Sequence, residues 1–159
     1  MKAASLADIK SALKNKTQAQ LTELCLRLAR HKKDNKELLT YLLFESDDTA
    51  SYIESIKTEI DDSFEEMNMG HVFWIKKSLR KTLRNINKYI KYAGDKQVEA
   101  ELRLYFCGKI KDARIPVHKH QVLSNMYKGQ VKKIETALAS LHEDLQHDYE
   151  SDWERVRHL

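Results

Sequence analysis

Apolar residues in this chain recur at intervals of three and four, and no stretch alternates apolar with polar as a half-buried strand would. Val72, Ile75, Leu79, Leu83, Ile86, Ile90 and Ala93 form one such series, closed by Gly94, and Ile53, Ile56, Ile60, Phe64 and Met67 form another. Four glycines and one proline in 159 residues leave few places for tight turns or bulges. The pattern predicts an all-α fold, in a chain long enough to bury a sizeable core.

Helix starts follow from capping chemistry, because the first N–H groups of a helix need an acceptor. Ser5 with Asp8, Thr17 with Gln20 and Asp34 with Glu37 have that spacing, predicting helices over about 5–15, 18–32 and 35–45. Ser46-Asp47-Asp48-Thr49 opens a fourth helix, and a fifth follows the turn Asn68-Met69-Gly70. Asp95 caps a sixth, which Ile115-Pro116 brings to an end. From Lys119 onward Leu123, Tyr127, Val131, Ile134, Leu138, Leu141 and Leu145 step by fours and threes, the spacing of a helix-on-helix seam, with Gly129 a point where it could bend.

The expected architecture is about seven helices in an antiparallel array or an irregular HEAT-like solenoid, ending in a long C-terminal helix. One helical domain is expected over 1–148. The polar segment 149–159 is expected to be mobile unless Trp153 and Val156 dock it.

Charge is blocked rather than mixed. The net is +5 over residues 1–37, −8 over 38–70, +11 over 71–135 and −4 over 136–159, within a total of +4. The basic block is sharpest on the fifth helix, where Lys76, Lys77, Arg80, Lys81, Arg84, Lys88 and Lys91 occur with no acidic residue between Gly70 and Asp95. At about 100° per residue they lie broadly opposite the apolar series, with Trp74 and Tyr92 near the edge. Cations beside aromatic rings can hold a nucleic-acid backbone and stack on its bases. A plain solvated helix face has the same composition, and that alternative stays open. The acidic run Glu54, Glu59, Asp61, Asp62, Glu65 and Glu66 on the preceding helix likewise reads as a solvated face, without the pattern of a calcium-binding loop.

Signatures of chemistry are missing. No Glu is followed by His three residues later, and His142 and His147 are five apart, one more than the zinc-binding helix motif allows. His118 and His120 would point nearly opposite ways on a helix. Cys107 lies in the apolar run Leu104-Tyr105-Phe106-Cys107-Gly108, which raises a thiol pKa, and no Gly-rich phosphate loop is present. Cys25 and Cys107 are read as reduced thiols. The opening MKAASLADIK has no apolar secretory core, and no apolar run approaches the ~20 residues of a membrane span, so a cytoplasmic location without a membrane partner is expected.

The stretch Leu13 to Phe44, with Gln20-Leu21, Leu24, Leu26-Arg27-Leu28 and Asp34-Asn35-Lys36-Glu37-Leu38-Leu39, resembles the opening of a small bacterial family of uncharacterised helical proteins. Asn87-Lys88-Tyr89-Ile90-Lys91-Tyr92-Ala93-Gly94 is similar too. The resemblance implies an all-helical fold and carries no activity, cofactor or site residue. The function expected from the residues is a non-enzymatic helical interaction module with a protein partner. Nucleic-acid binding through the basic face, homodimerisation through the Leu123–Leu145 seam and an enzyme with an unrecognised site are the alternatives.

Overall fold

The computed structural model describes residues 1–158, and among these it contains nine α-helices and no strand. The chain forms two compact units, Met1–Phe44 and Glu45–Leu159.

The first unit holds α1 (Leu6–Lys14), α2 (Gln18–His31) and α3 (Lys33–Thr40). Ser5 and Thr17 cap α1 and α2, each through the reciprocal box expected of them. The third box does not form: α3 starts two residues early, directly behind α2, and Lys32 occupies the cap position without a side-chain bond. Asp34 therefore falls inside the first turn, where a carboxylate favours the helix dipole instead of capping it. α2 and α3 pack on each other, and the Asn35 side-chain amide donates to the Leu28 carbonyl at 2.9 Å. α3 then widens into a π-helical turn, Tyr41–Glu45, which the sequence pattern had continued as ordinary helix.

The second unit holds α4 (Thr49–Glu65), α5 (Val72–Ala93), α6 (Lys96–Asp112), α7 (Gln121–Ala139), α8 (Glu143–Asp148) and α9 (Glu150–Val156). Asp48 caps α4, and Asp95 caps α6 by accepting from the N–H groups of Gln97 and Val98. His71 caps α5, and Gly94 in the left-handed region (φ 62°) closes it. Arg114, also left-handed (φ 50°), ends α6 just before Ile115-Pro116.

α6 is the centre of this unit and packs against α4, α5, α7 and α9. Burial on all sides explains why it carries apolar or small residues around its whole circumference, with Val98, Ala100, Leu102, Phe106, Cys107, Gly108 and Ile110 buried. The expected seam lies on α7: Leu123, Tyr127, Ile134 and Leu138 are buried, Val131 is half-buried, and α6 is the main element against this helix. α7 ends at Ala139, so Leu141 and Leu145 belong to the following turn and α8 instead of to one continuous helix. Within the polar C-terminal segment, α9 is docked on α6. Val156 is buried, and the Tyr127 hydroxyl donates to its carbonyl at 2.8 Å.

Candidate binding surfaces

In the first unit α1, α2 and α3 bury no residue. On α1, Leu6, Ile9 and Leu13 share one face, and on α2, Leu21, Leu24 and Leu28 share another, each at i, i+3, i+7 spacing. Leu6 is 85% exposed and Leu28 61%. Burying such side chains is what normally stabilises short helices, because isolated helices below ~12–15 residues are marginal in water. The unit is also basic, with nine Lys and Arg against four Asp and Glu over residues 1–44. A shallow hollow on α2 is lined by Leu24, Leu28, Arg27, Arg30 and His31, setting two apolar anchors among cations.

In the second unit α5 turns Ile75, Leu79, Thr82 and Ile86 inward, against α4 and α6. That orientation puts Lys77, Arg80, Lys81, Arg84 and Lys91 on the exposed side, while Lys76 and Lys88 are half-buried. Of the aromatic residues expected here, Trp74 is 44% exposed but Tyr92 is half-buried, edge-on to Tyr89 at 6.4 Å. The ring that accompanies Trp74 outside is Phe73, edge-to-face at 5.0 Å. The Lys77 ammonium lies 5.3 Å from the Trp74 ring centre, and Lys76 lies 5.8 Å from that of Phe73. The Tyr89 hydroxyl donates to Glu59 at 2.8 Å.

The acidic face of α4 proves only partly solvated. Asp61 accepts from Tyr105 at 2.8 Å and pairs with Lys109 at 2.8 Å, both on α6. Lys57 links Glu54 and Glu101 at 2.8 Å each. Of the α4 carboxylates, Asp61 is held toward α6, Glu54 is bonded within its own helix, and Glu59 meets a tyrosine of α5 and no α5 cation. Among the described residues, Lys77, Arg80, Lys81, Arg84 and Lys91 make no ion pair.

A polar cluster that the sequence did not reveal joins α4, α6 and α9. The Tyr149 hydroxyl donates to Glu101 at 2.7 Å, Lys57 pairs with the same carboxylate, and Arg155 pairs with Asp112 around a cavity of about 120 Å³. Burial, aided by the neighbouring carboxylates, pushes the Tyr105 and Tyr149 phenols up to about 12. Burial likewise raises the Cys107 thiol to about 12, as its apolar sequence setting implied. None of the three is poised as a nucleophile at neutral pH. No described buried side-chain polar atom lacks a partner, as expected of a cluster that holds the fold together. Both cysteines are free, Cys25 exposed and Cys107 buried. Among the described residues no three His, Cys, Asp or Glu side chains converge as a metal site requires, and no helix is long and apolar enough to cross a membrane.

No family model matches the chain, and no curated protein or solved structure matches it either.

Proposed function

We propose that this is a non-enzymatic binding protein whose Met1–Phe44 unit docks an acidic, amphipathic helix of a partner protein. The observation that carries the reading is the unburied apolar face on each of α1 and α2. Exposed apolar surface at helical spacing is the complement of a helix that offers its own i, i+3, i+7 anchors. The charge of the partner follows from the unit's net +5 and from Arg27 and Arg30 beside Leu24 and Leu28. A second copy would bring one +5 surface against another, so self-association through this face is opposed by like charge. The two free thiols suit a reducing compartment such as the cytoplasm.

Titration of the full chain with two designed helical peptides, sharing one leucine face but with Glu or Lys on the other, tests this. The acidic peptide should bind saturably and at least about tenfold more tightly at low salt, and Leu24→Asp/Leu28→Asp should abolish the binding. Equal affinity for both peptides, or binding unchanged in that variant, would refute the reading. So would a wild-type dimer that the same variant converts to monomer, since the occupant would then be a second copy.

A further inference from the structure

The geometry points to a second binding surface, independent of the first unit: the exposed side of α5, built to hold single-stranded nucleic acid without sequence preference. Three observations converge on it. α5 has no acidic residue, and its buried residues Ile75, Leu79, Thr82 and Ile86 fix its rotation so that Lys77, Arg80, Lys81, Arg84 and Lys91 project outward together. Lys77, Lys81 and Arg84 follow at about one helical turn, ~5.4 Å, with Lys91 two turns further on, so the charge extends over ~21 Å of the helix and suits a polymer of phosphates.

The second observation is that this charge is not neutralised within the fold. Glu54 and Asp61 of α4 are engaged by Lys57 and Lys109, and Glu59 accepts from Tyr89. The five outward cations make no ion pair, so their charge is open to a ligand.

Third, Phe73 (50% exposed) and Trp74 lie at the start of the same helix in edge-to-face contact. Exposed rings beside cations offer stacking platforms for unpaired bases, which duplex DNA does not present. A membrane surface fits less well, because an interfacial helix needs its apolar face for the lipid, and that of α5 is already buried. An acidic polypeptide could match the charge but would leave the paired rings without a role.

The test is fluorescence anisotropy of the full chain with a labelled oligouridylate of about 20 nucleotides at two salt concentrations. It is repeated with Arg80→Glu/Arg84→Glu, with Trp74→Ala, and with polyglutamate and inorganic polyphosphate as competitors. Wild type should bind with a log-log salt slope of about −0.7 per phosphate contacted. The charge reversal should weaken binding by at least about tenfold, and Trp74→Ala by roughly five- to a hundredfold. Circular dichroism should show both variants folded, since Arg80, Arg84 and Trp74 are exposed. The inference is overturned if wild type does not bind, or if folded Arg80→Glu/Arg84→Glu binds equally well. Competition by polyglutamate at matched charge would reassign the face to an acidic protein. Competition by polyphosphate together with an inert Trp74→Ala would reassign it to polyphosphate. Should the charge variant not fold, a Lys77→Gln/Lys81→Gln variant carries the same expectation.

Discussion

Ile134→Asp is expected to unfold the Glu45–Leu159 unit rather than separate two chains. Ile134 is fully buried on α7, within the seam whose spacing could equally have served a dimer. Substitution removes a packed aliphatic side chain and places a carboxylate at a fully buried position. Large-to-small changes at such sites cost about 2–5 kcal/mol, and burying an unpaired polar group adds more, so the total reaches or exceeds about 5 kcal/mol. That is comparable to the whole stability of many domains. Circular dichroism with light scattering separates the outcomes. Loss of cooperative unfolding at unchanged molecular mass at high dilution is the expected result, whereas a folded variant that changes from dimer to monomer would put the seam between copies.

Arg103→Ala should also be strongly destabilising, and for a reason that lies in α6 being enclosed. The Arg103 side chain is 5% exposed, bonded to Glu99 at 3.0 Å and donating to Gln130 of α7 at 2.6 Å. Truncation leaves a buried amide acceptor unmatched and a carboxylate with only Lys96, which predicts a loss of about 3 kcal/mol in urea unfolding. Removing the amide as well, in Arg103→Met/Gln130→Leu, should recover the part of the loss that the unmatched amide causes, while the part owed to Glu99 remains. The pair also has a pH signature. Burial works to raise the Glu99 carboxyl, but Lys96 and Arg103 together hold it below its ordinary value. A lowered folded-state pKa stabilises the fold above the unfolded carboxylate value and loses that contribution as pH falls through the folded one. Wild type should therefore weaken on acidification below about pH 4.5 more steeply than Arg103→Ala. Matching acid profiles, or a loss under about 1 kcal/mol, would mean that Arg103 is not a structural tie.

The helices themselves were largely legible, and where they were not the reason is local. α5 was readable end to end because its apolar residues face one way and Gly94 stops it. α7 read too long, since Leu141 and Leu145 keep the interval of three or four although the chain leaves the helix at Ser140. The start of α3 was misplaced because Lys32 serves as both the end of α2 and the beginning of α3, a junction that no side-chain acceptor marks. Arg103 gave no signal, since its burial depends on α7 supplying Gln130 from 27 residues away. Of the basic face, the cations were found by periodicity. Helical angle places Tyr92 near the edge of that face but does not show that it lies edge-on to Tyr89, nor that Phe73 lies against Trp74. The division into two units was hidden because α1 and α2 have amphipathic sequences as regular as those of core helices, while burying nothing.

That last contrast is the premise of the proposed function, and hydrogen exchange on the full chain, alone and with the acidic helical peptide, tests it most directly. Amides of α1 and α2 should exchange by local opening in the free chain, orders of magnitude faster than those of α6, and should slow when the peptide is added. Protection of α1 and α2 equal to that of α6 in the free monomer would contradict the account, as would peptide-induced protection appearing on α7 instead.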